Sequence, residues 1–169
     1  MAEKYSSKDL QKWLFEKAVD SAGPKARKLL LANDQRGRDD VLIGKLFFFK
    51  YDPKGKAYLP KYDKFPLACP IEIYGDGFLG LNLHYLSVSE RQSLLGQLMK
   101  FANNKQMDET TRLKLSYQLL QGSRRLESLS KPCIKRYLYN HVRSQLIEIN
   151  VDEFDKAIEI QVEDWIYKR

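Results

Sequence analysis

The chain has 169 residues and a formal net charge of +7. This length suits one compact domain with a hydrophobic core and is too short for two domains of full size. Hydrophobic residues make up 43% and charged residues 30% of the chain, which argues against general disorder, and no apolar run is long enough to cross a bilayer. The N-terminal residues lack the apolar core of a signal peptide, so we expect a single domain over residues 1–169 that folds inside a cell and makes no membrane contact.

Charge is unevenly distributed along the chain. Residues 1–70 carry 15 basic and 9 acidic side chains, residues 71–146 carry 11 and 6, and residues 147–169 carry 3 and 7. A basic body with an acidic tail attracts phosphate backbones and acidic proteins equally well, because long-range attraction depends on charge alone. Composition therefore indicates the sign of the partner's charge but not its class.

The first 40 residues form a predicted helical arm. Ser6 or Ser7 can cap a helix in which Leu10, Trp13 and Leu14 recur at helical spacing, and Gly23-Pro24 should end it. Residues 25–31 favour a further short helix, whereas residues 33–40 are polar and without apolar period, which is typical of an exposed loop.

Residues 41–86 are a predicted β-module, since they hold ten of the eighteen Phe and Tyr residues. Turn residues interrupt the module at 52–55 and 75–77. A strand over 41–51 is apolar on both faces and needs cover on both sides, from a helix, from barrel closure or from a partner. Residues 57–59 should double back on it, Pro70 should interrupt a strand over 67–74, and residues 78–83 should close the module.

The rest of the chain predicts a helical part over 87–146 and a short acidic α/β tail over 147–169. Ser87 and Glu90 match a capping box, which predicts a helix over 88–102. Further helices are expected over about 108–122 and from Ser130 to Gln145. In the tail, alternation predicts a strand over 146–151, a short helix capped by Asp152, and a strand over 158–162 that could rejoin the β-module. The predicted fold class is α+β: a small, strongly curved antiparallel sheet or SH3-like barrel packed with N-terminal and C-terminal helices.

No residue pattern predicts catalysis, a metal or a cofactor. Cys69, Cys133, His84 and His141 have no paired spacing, so we expect two buried thiols and structural histidines rather than a hydrolase or a zinc site. The acids Asp52, Asp63, Glu72 and Asp76 could in principle hold Mg²⁺ for a nuclease, but Asp52 and Asp76 are typical of turns and no nuclease spacing follows. The glycines at 75, 77 and 80 favour a turn between strands over a phosphate loop.

Two sets of residues are candidate contact sites. Large rigid aromatics of the β-module favour contact with another protein subunit, and a concentrated basic segment with interleaved tyrosines favours nucleic acid. The predicted protein interface is Phe47, Phe49, Tyr51, Tyr62 and Tyr85. The predicted nucleic-acid-binding residues are Arg124, Arg125, Lys131, Lys135, Arg136 and Arg143.

Five stretches carry a family resemblance: 51–54 (YDPK), 59–67 (LPKYDKFPL), 76–86 (DGFLGLNLHYL), 115–117 (LSY) and 132–138 (PCIKRYL). They resemble small, largely uncharacterised proteins of T4-like tailed bacteriophages, some of which are called virion structural proteins. The resemblance spans about residues 41–155, and the acidic end of this chain departs from the basic, serine-containing tail usual in that family.

The resemblance implies a non-enzymatic component of a phage particle or of its assembly, bound to neighbouring phage subunits in a symmetric assembly. Its expected location is the virion, after synthesis in the host cytoplasm. The alternative is an intracellular nucleic-acid-binding protein that uses the basic segment and contacts DNA. A metal-dependent nuclease and an inhibitor of a host enzyme are further alternatives.

Overall fold

The computed structural model describes residues 7–20, 23, 25–31, 42, 45–55, 57–58, 61–102, 106, 133–159 and 165–167. It is an α+β fold, as the sequence predicts. The helices are α1 (Ser7–Asp20), α2 (Ala26–Leu31), α3 (Val88–Ala102) and α4 (Phe154–Ile158), and the strands are β1 (Leu46–Phe48), β2 (Lys61–Asp63), β3 (Leu67–Ile73), β4 (Gly77–Asn82), β5 (Ile134–Leu138), β6 (Ile147–Ile149) and β7 (Trp165–Tyr167). Short 3-10 turns cover Leu83–Tyr85, Tyr139–His141 and Val151–Glu153.

The main sheet has five antiparallel strands in the order β5-β4-β3-β1-β6. Its outer strands β5 and β6 do not pair with each other among the described residues, so the sheet is open and the SH3-like alternative is wrong. A separate antiparallel pair joins β2 to β7 near the end of the chain. A late strand therefore does rejoin the β-module, at Trp165–Tyr167. Of the predicted strand over 158–162, Ile158 is the last residue of α4, and 160–162 lie outside the described residues.

Both faces of the main sheet are covered by helices of the same chain. Leu46 and Cys69 face a cluster that includes Leu95 of α3 and Phe154 of α4. Phe47 faces the opposite cluster, because successive residues of a strand point to opposite sides. That second cluster contains Ala26, Leu29, Leu42, Phe47, Phe49, Tyr51, Ala68, Phe78, Tyr137, Tyr139 and Leu146. The cover that the sequence required for the first strand thus comes from within the chain.

Helix α3 and the β3–β4 hairpin form where the sequence predicts them. The Ser87 N–H donates to Glu90 Oε2 at 2.8 Å and the Glu90 N–H donates to Ser87 Oγ at 3.2 Å, so the capping box is confirmed. In the hairpin, the Tyr74 N–H donates to Gly77 O at 2.8 Å. A Cβ at Gly77 would lie 1.9 Å from Tyr137 O, so strand β5 can approach β4 here only because residue 77 has no side chain.

Among the described residues, the first strand is shorter than predicted, and β3 is continuous where an interruption was predicted. Regular pairing in the first strand is confined to Leu46–Phe48, with an isolated bridge between Tyr51 and Val142 further on. Pro70 does not interrupt β3; instead the register with β4 shifts between Pro70 and Glu72. A local irregularity of this kind accommodates a residue that has no N–H to donate. Residues 57–58 lie in a turn and do not double back as a strand.

The predicted helix from Ser130 to Gln145 is wrong over its described part. Residues 134–138 form β5, which pairs with β4 along its length. Tyr137 and Tyr139, two residues apart, are both buried in the second cluster, so the burial period is that of a strand. Ile134, Tyr137 and Leu138 also fit helical spacing, and pairing with β4 decides between the two patterns.

The other terminal elements agree with the sequence. Helices α1 and α2 are confirmed, as are a strand within 146–151 and a short helix after Asp152, although the N-cap of α4 is Glu153 and makes no side-chain cap bond. The predicted loop over 33–40 and the predicted helix over 108–122 lie outside the described residues. None of the helices in the described ranges is long and apolar enough to span a membrane.

Glu153 connects helix α1 to the C-terminal part of the chain through side-chain hydrogen bonds. Trp13 Nε1–H donates to Glu153 Oε2 at 2.8 Å, and Lys17 Nζ donates to Glu153 Oε1 at 2.5 Å. Burial raises the pKa of Glu153, but hydrogen bonds from Lys17, Trp13 and the Asn150 N–H outweigh it and lower the pKa below its usual 4.5. The carboxylate therefore stays charged in its contact with α1.

Candidate nucleic-acid interface

Five exposed basic side chains from three separate segments form one surface, which we call the composite basic patch. A bridge between Lys25 and Gln145 joins the start of α2 to the segment before β6. The Arg143 N–H donates to Lys50 O at 2.8 Å, and the Lys50 N–H donates to Ser144 Oγ at 2.8 Å. The patch consists of Lys25, Arg27, Lys28, Lys50 and Arg143.

Local structure turns these side chains outward. Helix α2 buries Ala26 and Leu29, so Arg27 and Lys28, on the other side of the same short helix, remain exposed. Lys50 is exposed between two buried residues, Phe49 and Tyr51, because alternate residues of an extended segment face opposite ways.

The patch keeps a positive charge because few acids lie beside it. Asp52 Oδ2 lies 3.6 Å from an Arg143 nitrogen, and Arg143 also donates to Asn140 O at 2.6 Å. Within the described part of the chain, no acidic side chain is within ion-pair distance of the other four basic groups. A phosphate could therefore approach the patch and find cations that are not already neutralised.

A segment that begins at Asp52 starts beside the patch. The Asp52 N–H donates to His141 O, and His141 Nδ1 lies 2.9 Å from Asp52 O, so the segment begins next to the one that carries Arg143. Further along, the Tyr58 N–H donates to Gly55 O at 2.9 Å in a turn. Tyr58 is 87% exposed, more than any other large hydrophobic residue in the described ranges.

The structure separates the basic residues that the sequence grouped together. Arg143 belongs to the composite basic patch. Lys135 and Arg136 lie on β5, where neighbouring residues point to opposite faces, and not side by side on a helix. Arg124, Arg125 and Lys131 lie outside the described residues.

Lys135 and Arg136 are already engaged within the protein. Lys135 Nζ lies 4.8 Å from the centre of the Tyr85 ring. The Arg136 guanidinium lies 3.7 Å from the centre of the Tyr74 ring and forms an ion pair with Asp76. Stacking and pairing of this kind stabilise the hairpin tip and reduce the charge that it presents to a phosphate.

The aromatic residues predicted to contact another subunit are core residues. Phe47, Phe49, Tyr51 and Tyr85 are all buried. Rings of the second cluster pack edge to face, for example Phe49 against Tyr137 at 5.3 Å. The assumption that these side chains are exposed is wrong, because the chain's own helices and strands cover them. The side chain of Tyr62 lies outside what the structure describes.

Asp63 anchors a buried polar network of Asp63, Asn82, His84 and Tyr137. Its carboxylate accepts hydrogen bonds from the Phe65 N–H at 3.0 Å, from Asn82 Nδ2 at 2.9 Å and from His84 Nδ1 at 2.6 Å. Asn82 also donates to the Tyr137 hydroxyl at 3.2 Å. The network links β2 to the end of β4, and it fixes His84 as the tautomer with a proton on Nδ1.

The surroundings of the network are apolar enough to shift the pKa values of neighbouring groups. Burial, with a further contribution from Asp63, raises the pKa of Tyr137 well above 10.0, so the phenol stays protonated. Burial lowers the pKa of the Arg91 guanidinium, and the attraction of Asp63 opposes this. His84 Nε2 has no hydrogen-bond partner among the described residues. These groups are inside the protein, which suits positioning rather than contact with a large ligand.

The other residues considered for catalysis or metal binding do not form a site in the described ranges. Cys69 and Cys133 are buried and form no disulfide, and burial raises the pKa of the Cys69 thiol to about 12, so it is a poor nucleophile. In the described ranges, no three Cys, His, Asp or Glu side chains form a group that could hold a metal.

Four of the five patch residues were not predicted from the sequence: Lys25, Arg27, Lys28 and Lys50. Three of them lie within four positions of the chain, but Lys50 stands alone, and counting charge along the chain does not group these residues with Arg143. One local signal exists, which is an exposed lysine between the buried neighbours Phe49 and Tyr51, but its grouping with Arg143 requires the tertiary contacts.

Comparison with protein families gives one match. A family model described as Phage T4 terminal DNA protecting protein matches residues 27–169. The matched range includes four of the five patch residues and the acidic C-terminal segment, but not α1. No curated protein and no solved structure matches the chain.

Proposed function

The chain belongs to the Phage T4 terminal DNA protecting protein family, and on that premise we propose that it binds the ends of linear phage DNA and shields them without catalysing a reaction. The observation that supports a DNA-binding role is the composite basic patch, whose cations lack acidic partners among the described residues except at Arg143. Arg27, Lys28, Lys50 and Arg143 all lie in the matched range.

In the proposed mechanism, the bound protein occupies the end of the DNA. Lysine and arginine side chains of the patch contact backbone phosphates near the end of the duplex, and binding gains free energy from the counterions that those phosphates release. An exonuclease needs access to the same end, so a bound protein excludes it.

Protection from digestion tests this proposal directly. Linear duplex DNA is incubated with an exonuclease and increasing concentrations of the protein, and the intact fraction is measured. We expect the Lys50→Gln/Arg143→Gln variant to need about tenfold more protein than the wild type for equal protection, since two phosphate contacts are lost. The matched control is Lys8→Gln/Lys100→Gln, which removes two exposed cations elsewhere on the surface and should protect as the wild type does.

Either of two results would contradict the proposal. Absence of protection by the wild type at any concentration would exclude end binding. Equal weakening of protection by both double variants would show that only total charge matters and that the patch is not the contact surface.

A second candidate function is contact with a neighbouring phage subunit in the particle. Four of the five residues predicted for it are buried, and the side chain of Tyr62 lies outside the described part of the structure. Phe15 and Val19, however, are 70% and 68% exposed and lie one turn apart on α1, outside the matched range. Exposed apolar pairs of this kind favour protein contact. Under this hypothesis, Phe15→Ser/Val19→Ser lowers the copy number in purified virions, measured by quantitative mass spectrometry, while DNA binding in vitro is unchanged. Unchanged incorporation of the variant would exclude it.

A further inference from the structure

Recognition of a DNA end requires more than a basic surface. Backbone phosphates look alike along a duplex, so cations that contact them do not distinguish an end from the interior. An end differs because the flat face of its last base pair is exposed. Aromatic side chains bind such faces by stacking, without regard to sequence.

Tyr58 is placed to supply this contact. It is 87% exposed, and it lies in the segment that starts at Asp52, beside Arg143 of the composite basic patch. Asp52, six residues before Tyr58, contacts the patch through its ion pair with Arg143 at 3.6 Å, and its N–H donates to the nearby His141 O at 2.9 Å. The exposed Lys54 lies in the same segment.

Other aromatic residues fit this role less well. The Tyr74 ring is stacked against the Arg136 guanidinium, and the Tyr85 ring is buried beneath the Lys135 ammonium. Phe15 is exposed, but it lies on α1, which the family match does not include. In the described ranges, Tyr58 alone combines a largely exposed aromatic residue with a place, inside the matched range, in a segment that starts at the patch.

We propose that Tyr58 stacks on the exposed face of the terminal base pair while the composite basic patch holds the phosphates beside it. This inference rests on the proposed function, because it assigns the residue that distinguishes an end from continuous duplex. The interaction is non-covalent, and it needs the ring rather than the hydroxyl.

The test compares two DNA molecules of equal length: a linear blunt duplex and a covalently closed circle, which has no terminal pair. We expect Tyr58→Ala to lower affinity for the linear duplex about tenfold, the effect typical of losing one stacked base, and to leave affinity for the circle unchanged. Tyr58→Phe should bind both as the wild type does. Phe15→Ala, which removes another exposed aromatic ring, is the matched control and should change neither affinity.

A fluorescent purine analogue provides a direct readout of stacking. When the analogue replaces a base of the terminal pair, its emission should change on binding of the wild type and of Tyr58→Phe, but not of Tyr58→Ala. The same analogue at an internal position should not respond. Circular dichroism and the thermal midpoint verify that each variant is folded.

The outcomes separate this inference from the proposed function. If the wild type prefers the linear duplex and Tyr58→Ala keeps that preference or the terminal fluorescence signal, stacking by Tyr58 is wrong and end binding stands. If the wild type binds the circle as tightly as the linear duplex, both are overturned. If the wild type prefers the linear duplex and Tyr58→Ala loses that preference, the result supports both stacking by Tyr58 and end binding.

Discussion

The buried polar network and the composite basic patch use charged side chains in opposite ways. In the network, the Asp63 carboxylate accepts three hydrogen bonds and interacts with Arg91. In the patch, Lys25, Arg27, Lys28 and Lys50 are exposed and have no acidic partner in the described ranges, whereas Arg143 lies 3.6 Å from Asp52. A satisfied internal charge holds strands in place, whereas an exposed, unpaired charge adds little to stability and remains available to a ligand.

The difference predicts that stability and DNA binding are carried by different residues. Variants of the network should unfold more easily but bind DNA normally once folded, and variants of the patch should do the reverse. Three predictions follow from this contrast, and the first has the largest expected effect.

Asp63→Ala should lower the free energy of unfolding by about 3 kcal/mol, since removing one member of a buried pair leaves the Phe65 N–H and His84 Nδ1 without their acceptor and takes one of two acceptors from Asn82 Nδ2. The measurement is urea unfolding followed by circular dichroism. Asp76→Ala is the control, because Asp76 pairs with Arg136 at an exposed site, where loss of a partner costs less than about 1 kcal/mol. Similar losses in the two variants would contradict the contrast.

Lys50→Gln/Arg143→Gln should change the salt dependence of DNA affinity rather than stability. Each phosphate contact contributes close to one unit to the slope of log affinity against log salt, so the slope should fall by about two, with unfolding changed by less than about 0.5 kcal/mol. Fluorescence anisotropy at several salt concentrations measures it. An unchanged slope together with reduced stability would reverse the roles assigned to the two regions.

Glu153 is intermediate between the buried network and the exposed patch, since its side chain is half-buried. It holds α1 by accepting hydrogen bonds from Trp13 and Lys17. Its pKa is lowered in the folded protein, so it contributes stability above the unfolded value near 4.5, and this contribution is lost as pH falls through the lower folded value. The emission of Trp13, recorded in a Trp165→Phe background, should therefore change as pH falls through the lowered pKa of Glu153. The same titration of Glu153→Gln should lack this step, and a step that persists in that variant would assign it to another carboxylate.

Local signals in the sequence predicted part of this fold well. The capping box at Ser87 and Glu90 and the glycines of the β3–β4 turn act within a few residues, so α3 and the hairpin followed from them. Strand β5 did not, because the spacing of Ile134, Tyr137 and Leu138 also fits a helix, and its pairing partner β4 lies more than fifty residues earlier. Propensity gives way to tertiary pairing in such a segment.

The candidate site was predicted less well than the fold. Of the basic residues chosen from the sequence, Arg143 belongs to the composite basic patch, while Arg136 is paired with Asp76. The density of aromatic residues correctly indicated a β-module, but it did not indicate which aromatic residue is exposed. Phe47 and Tyr58 are both aromatic residues of that module in the sequence, and they differ in whether other parts of the chain cover them. Burial depends on contacts between distant segments, which no local pattern encodes.

Strand β1 bears on how the protein unfolds. Leu46 contributes to one hydrophobic cluster and Phe47, the next residue, to the other, so neither cluster can separate from the sheet without disturbing the strand that both share. We therefore expect amide protons of β1 and of its neighbour β3 to exchange with solvent only in global unfolding, with one common free energy of opening. Two hydrophobic clusters on opposite faces of the same strands should melt as one cooperative unit.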